Sequence, residues 1–325
     1  MTRTSQLQQD YAALLAAGTA QSTKRAYARD MAYFTAWHQQ VFHRKPRYPV
    51  SVNTVIRFIL DHNGKMKAVD DQVLIKAGLK RKLGAITIRS IRRYLSSLSI
   101  HHNERGIQNP VSDQQVRLLL RRAQRARATE RPHQKAAITA DILNELIATC
   151  DDSLRGKRDR AILLVGFASG GRRRSELANM QIEDLARVNH GYVIKLRASK
   201  TDQAGEGQEV PILGKAAIAL KNWLLASGLR SGPLFRGILP SDSLNDAICG
   251  RTINRIIKTR LLLIGQNPDL FGAHSLRSGF FTEAARKGAA LGDAMALSGH
   301  KDTKVASGYY RRALLLDNPV NQLIK

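Results

Sequence analysis

Through the first ~130 residues apolar side chains recur at three- and four-residue steps, as at Tyr27, Met31, Phe34 and Trp37. That spacing lines one face of an α-helix. It predicts four or five helices there. One runs to about Val41 with Ser22 or Thr23 as its cap, one starts near Ser51 and carries Val55, Phe58 and Ile59, and later ones follow from about Ala85 and Ser112. The stretch from Arg127 to Ala137 is polar, contains Pro132 and has no apolar period. Residues 131–136 therefore read as a linker between a helical domain, 1–130, and a second domain, 137–325. Beyond it, Thr139 begins a helix through Thr149, and another runs from Lys157 to Ala168 and stops at Ser169-Gly170-Gly171. The period then shortens: Tyr192 to Arg197 and Gln208 to Leu213 read as short strands around the turn Gln203 to Gly207, with Lys200 at or near the hairpin. Helices return from Lys215 to the end. The predicted fold is mainly α, with a small antiparallel sheet in a mixed α/β second domain.

Charge changes the picture from fold to partner. Lys and Arg number 52 against 26 Asp and Glu, a formal charge of +26 over 325 residues. The basic residues lie along the whole chain and within predicted helices, whereas membrane-surface binding would favour one tail or juxtamembrane cluster. Nucleic acid is the expected partner. Cys150 and Cys249 form no Cys-x-x-Cys pair, so neither a zinc site nor a disulfide framework is expected, and a reducing cytoplasm fits. The amino terminus lacks the apolar core of a secretory signal, and the run Ala161 to Ala168 is too short to span a bilayer. No membrane association is expected.

Candidate chemistry clusters in the second domain. Arg172-Arg173-Arg174 after two glycines reads by itself as a solvated basic turn. The Ser175-Glu176-Leu177 that follows makes it a glycine turn opening a helix, a place where an anion is held and where Glu176 can orient an arginine. His274 and Arg277 are three apart, so on a helix they share a face and can approach one phosphate. Gly299-His300 is either a helix stop with a surface histidine or part of the same site. Tyr309 and Tyr310 on an amphipathic helix would ordinarily be packing aromatics, and Lys200 in a hairpin would ordinarily be solvated. Only the ordered set is specific.

That set resembles the tyrosine recombinase (phage integrase) family, and the whole chain is similar to its simpler Cre-like and Xer-like members. The family pattern, roughly Thr-Gly-Leu-Arg-x-Ser-Glu-Leu, falls on Gly170 to Leu177, which aligns Arg173 with its first catalytic arginine; glycine and arginine stand at 170 and 172 where the pattern has Thr and Leu. Lys200 aligns with the hairpin lysine, His274-Ser-Leu-Arg277 with the His-x-x-Arg box, and Leu297-Ser-Gly-His300 with the Leu-Gly-His box. The nucleophile of the family lies nine residues past that histidine, and 309 − 300 = 9, so Tyr309 is preferred to Tyr310.

The resemblance implies a helical, SAM-like core-binding domain followed by a recombinase catalytic domain, and a metal-free, cofactor-free reaction in which Tyr309 attacks the scissile phosphate and forms a 3′-phosphotyrosyl link. Arg173, Arg277 and His300 would stabilise the charged transition state, Lys200 would protonate the leaving oxygen, and His274 would assist deprotonation or hold a phosphate oxygen, with Glu176 supporting Arg173. Ser22 to Tyr27 and Thr87 to Leu95 look like the DNA-facing helices of the core-binding domain. Thr23, Lys24, Arg25, Arg89, Ser90, Arg93, Arg121 and Arg122 are candidate contacts there, and Arg251 is a candidate base reader or phosphate contact. The family further implies double-stranded DNA with an inverted-repeat site, a Holliday junction made by a homotetramer, room for an accessory protein, and a bacterial, phage or plasmid source with action at the nucleoid. Leu314 to Leu316 and Leu323-Ile324 would couple subunits or pack on their own domain. A type IB topoisomerase would share the tyrosine chemistry, and a noncatalytic DNA-binding protein would share the charge without needing Lys200 or Tyr309.

Overall fold

The computed structural model describes residues 13–14, 17–128, 135–197, 207–272 and 274–314. Contacts divide the chain into two units, Met1–Pro132 and His133–Lys325. Among the described residues the first unit holds five α-helices: α1 (Gln21–Phe42), α2 (Val52–Leu60, continued by a π turn at Asp61–Lys65), α3 (Ala68–Lys76), α4 (Ile88–Asn103) and α5 (Gln114–Ala126). Side-chain caps set several starts. Ser51 accepts from the Thr54 amide, Thr87 from Ser90 and Asp113 from Gln115, each meeting an amide that the first helical turn leaves without a backbone partner. The cap expected at Ser22 or Thr23 is instead Ala20, because the Thr23 and Lys24 amides already donate to the Ala20 carbonyl.

An aromatic core closes this unit. Trp37 of α1 meets Phe58 of α2 edge-on at 4.9 Å, and Tyr33 stacks on Tyr94 of α4 at 4.4 Å. His62 is fully buried among them. Its Nδ1 faces the Phe58 carbonyl at 2.7 Å, which can only accept, so Nε2 is left to accept from the Tyr33 hydroxyl at 2.8 Å.

The second unit continues with α6 (Ala140–Ala148), α7 (Leu154–Ala168), the short α8 (Arg174–Ala178), and strands β1 (Leu185–Val188), β2 (Gly191–Leu196) and β3 (Gln208–Leu213) in an antiparallel sheet of that order. Ile194 pairs with Val210, and Leu196 with Gln208. After α9 (Gly214–Ser227), a hairpin of β4 (Arg236–Ile238) and β5 (Leu244–Ala247) interrupts the helices expected from Lys215 onward. These strands, like β1, are three or four residues long and largely lack buried alternation, so they exist through pairing and carry little signal of their own. Then come α10 (Gly250–Leu263), α11 (Ser275–Arg286), α12 (Leu291–Ser298) and α13 (Thr303–Ala313). The main core joins Ile162 and Val165 of α7, Ile194 and Val210 of the sheet, Leu220 and Trp223 of α9, and Ile253 and Ile257 of α10. A smaller cluster of Phe281, Ala294 and Ala306 holds α11, α12 and α13 together. The architecture is mainly helical with a small antiparallel sheet. No helix among the described residues is long and apolar enough to cross a membrane.

Candidate active site

A turn between α7 and α8 builds one wall of the site. Gly170 and Gly171 have φ of +92° and +66°, a region side chains disfavour, and a Cβ would come within 2.6 Å of Ser298 Cα at the former and 2.3 Å of Arg277 Cα at the latter. Their bareness lets the turn lie directly against the start of α11 and the end of α12. Neighbouring arginines then part company. Arg173, the residue before α8, stays partly exposed; Glu176 accepts from its backbone amide at 3.1 Å and from its guanidinium at 2.6 Å. Arg172 turns inward and is only 2% exposed.

The second wall is the start of α11. A Cβ on Gly279 would meet the Ile138 carbonyl at 1.7 Å, so this helix rests on bare backbone. His274 precedes the first helical residue and is exposed, while Arg277 sits in the first turn and is buried. Arg277 donates one terminal nitrogen to the Ser298 carbonyl and its Nε to His300 Nδ1 at 3.2 Å. A guanidinium N–H can only donate, so Nδ1 of His300 must be the acceptor and the neutral ring carries its proton on Nε2. Among the described residues no carboxylate pairs with Arg277, and its remaining terminal nitrogen has no protein partner.

Gly299 ends α12 in the left-handed region and redirects the chain so that His300 meets Arg277. Opposite it, α13 presents both tyrosines to Phe281, with Tyr309 stacked at 5.5 Å and 19° and Tyr310 edge-on at 6.1 Å. The hydroxyls differ. That of Tyr310 donates to the Ala290 carbonyl at 3.4 Å, and burial with Asp293 raises its pKa. The phenol of Tyr309 lies within electrostatic reach of Arg277.

These groups share one field. Burial, then Arg277 and Arg173, push the His300 pKa down to about 4. The covered part of the His274 ring, then Arg277, Arg173 and Arg174, lower its pKa, although the residue as a whole stays exposed. Burial, with Arg173 next, brings Arg277 down to about 10. At neutral pH the site therefore offers two cationic forks, two neutral imidazoles and a phenol, a set suited to a tetrahedral anion. The structure brings Arg173, Glu176, His274, Arg277, His300 and Tyr309 together; Lys200, Leu315, Leu316, Leu323 and Ile324 lie outside the described residues. Among the described residues no three His, Cys, Asp or Glu side chains gather as a metal site.

Elsewhere, Lys24, Arg25, Arg89, Arg121, Arg122 and Arg251 are exposed, and Thr23 and Ser90 are half-buried. The Ser90 hydroxyl is 2.9 Å from that of Thr87. Arg93, although exposed, bonds to buried Asp30 and lies 4.4 Å over the Tyr94 ring. The site also takes in Arg172, Gln208, Ser298 and Phe281, which the sequence motifs do not single out. Only Arg172 carried a signal, as a basic residue where the family pattern has leucine.

The phage integrase family model matches residues 136–314. An integrase/recombinase xerD homolog of Selenomonas ruminantium is 31% identical over 316 residues, 94% of this chain and 86% of the relative. Two solved structures share the fold. A lambda integrase dimer bound to a COC′ core site matches with a TM-score of 0.56 at 17% identity, covering 95% of this chain and 77% of that one. The Tn1549 transposon integrase in complex with transposon right end DNA matches with a TM-score of 0.56 at 14% identity, covering 98% and 99%.

Proposed function

The chain belongs to the phage integrase family, and from that premise we propose that it is a tyrosine site-specific recombinase that cuts and rejoins double-stranded DNA through a 3′-phosphotyrosyl intermediate. One observation carries the reading. Arg277 is buried at 3% exposure with no carboxylate partner among the described residues, next to Arg173, His300 and the Tyr309 phenol. A buried cation with no carboxylate bonded to it is costly. A phosphate at this point supplies the missing charge.

The steps follow from the groups present. Tyr309 Oη forms a bond to phosphorus as the bond to the 5′ oxygen breaks, so the phenol loses a proton and the leaving oxygen gains one. Free tyrosine titrates at ~10, so the proton must leave as the bond to phosphorus forms. Arg173 and Arg277 neutralise the non-bridging oxygens, and His300 donates its Nε2 proton to one of them. His274, neutral through its lowered pKa, accepts the phenol proton or holds an oxygen, and Lys200 supplies the proton to the 5′ oxygen. Rejoining reverses these steps with a 5′-hydroxyl from the partner strand. The phosphotyrosyl ester keeps the bond energy, so no nucleotide or cofactor enters.

Four active centres acting in pairs on two inverted-repeat sites make the assembly a homotetramer passing through a Holliday junction in a bacterial cytoplasm, with the segment from Leu314 onward coupling neighbours. Exposed Lys24, Arg25, Arg89, Arg121, Arg122 and Arg251, with Thr23 and Ser90, face the DNA. Arg93 serves first as the partner of Asp30.

A nicked suicide substrate bearing the recombination site, recovered from the DNA flanking the gene, tests the reading. The wild type and Tyr310→Phe accumulate a covalent protein–DNA adduct, and Tyr309→Phe accumulates none on a denaturing gel. Adduct from Tyr309→Phe at the wild-type rate sinks the assignment. End exchange between duplexes separates recombination from topoisomerase-like relaxation.

A further inference from the structure

We propose that Arg172 and Gln208 form a positioning pair that holds the turn bearing Arg173, the first residue of β3 and the last turn of α12 in one register, and so sets where Arg173 and His300 stand toward a bound phosphate. The inference rests on the recombinase reading. It begins with a misfit: a leucine-sized slot of the family pattern is filled by an arginine that is 2% exposed. All three of its nitrogens are engaged. Nε donates to the Ser169 carbonyl at 2.7 Å, Nη1 to Gln208 Oε1 at 3.3 Å, and Nη2 to the Leu297 carbonyl. Glu176, which grips Arg173, lies 3.8 Å from Nη1.

Gln208 completes the link. Its side-chain amide donates to the carbonyls of Ala296 and Leu297. The last carbonyls of a helix have no intrahelical donor and attract positive groups. In α12 they are met by Gln208 at 296, Gln208 and Arg172 at 297, and Arg277 at 298. His300 follows directly, its amide bonded to the Met295 carbonyl at 3.1 Å. The same helix end thus receives bonds from the strand, from the turn before Arg173 and from Arg277. Gly299 leaves the room: a Cβ there would stand 3.0 Å from Gln208 Oε1.

Simple packing would be served by leucine, which needs no partners, whereas a buried arginine is tolerated only with its donors satisfied. A linkage that fixes geometry predicts that rate and stability separate on substitution. The full-length protein is assayed on the nicked substrate for single-turnover adduct formation, for DNA affinity and for thermal midpoint. Arg172→Leu is expected to keep its affinity and its melting temperature yet form adduct about 100-fold more slowly, the scale of a small misplacement of catalytic groups. Arg172→Lys recovers part of that rate. Gln208→Ala slows adduct formation about tenfold, and the double variant Arg172→Leu/Gln208→Ala is no slower than Arg172→Leu alone, because the two residues act through one link.

Wild-type rates in Arg172→Leu, or losses that multiply in the double variant, overturn the proposal. So does a rate loss that merely follows a fall in melting temperature or affinity. Should Arg172→Leu fail to fold, Gln208→Ala decides: an unchanged rate overturns the pairing. Absence of adduct from the wild type would instead overturn the recombinase reading.

Discussion

The two units bury charge of opposite sign. In the first, the buried ionic groups centre on acids, and each is answered: Asp30 by Arg93 and Ser97, Asp61 by Arg57 and Trp37, Asp71 by Lys80 and the Gly84 amide. In the second, the buried groups are mainly arginines. Arg158 and Arg260 share Asp159, and Arg172 is satisfied largely by carbonyls, but Arg277 has only a carbonyl and a neutral imidazole among the described residues. A closed ion pair is a scaffold element. An open cation stores affinity for an anion that the protein itself does not supply. Substitutions in the first unit should therefore register as stability, and those around Arg277 as chemistry.

The sharpest break of that contrast is Arg277→Ala. Removing one preorganised donor of transition-state charge should slow adduct formation about 10³-fold while the melting temperature holds or rises, since a buried, incompletely paired cation is deleted. A loss below tenfold, read by single-turnover kinetics, would mean that the open cation is structural after all. Next in size is Asp71→Ala, which strands buried Lys80 and should cost about 3 kcal/mol or more in chemical denaturation, with adduct formation at saturating DNA close to wild type below the unfolding transition. A normal unfolding midpoint would show that the first unit's ion pairs are dispensable.

The smallest effect tests a property both units share. His62 and His300 have pKa values lowered to about 4, chiefly by burial, against an ordinary 6.5. Their neutral forms belong to the folded state, so the unfolded chain takes up protons first as the medium is acidified. The stability they contribute is complete above pH 6.5 and is lost as pH falls toward 4. For His62, fully buried, the loss between pH 7.5 and 5 should be about 2 kcal/mol, and His62→Gln should flatten it. Unfolding free energies independent of pH across that window would contradict the buried, neutral rings.

Much of the helical pattern and the order of the reactive residues could be read directly from the chain. Periodicity is a local property: the stripe Tyr27, Met31, Phe34 and Trp37 and the alternation of Val210 and Ile212 arise from side-chain geometry alone, and Ser51 marks a helix start through its own hydroxyl. Elements whose order comes from partners left little trace. The strands β1, β4 and β5 are short and mostly lack buried alternation, and Ala20 caps α1 without a capping side chain, whereas the chain offers Ser22 or Thr23 as the cap.

Composition and motif order by themselves determined that this chain meets a polyanion and carries the arginines, histidines and tyrosines of a phosphoryl-transfer site, because those follow from residue identity and spacing. Tertiary structure alone decided which of three adjacent arginines is buried and which ring nitrogen of His300 carries the proton. In a glycine turn or at a helix end, side-chain direction is set by what packs against it, here the close approach of Gly170 and Gly171 to α12 and α11, and no local pattern encodes a contact with residues more than a hundred positions away.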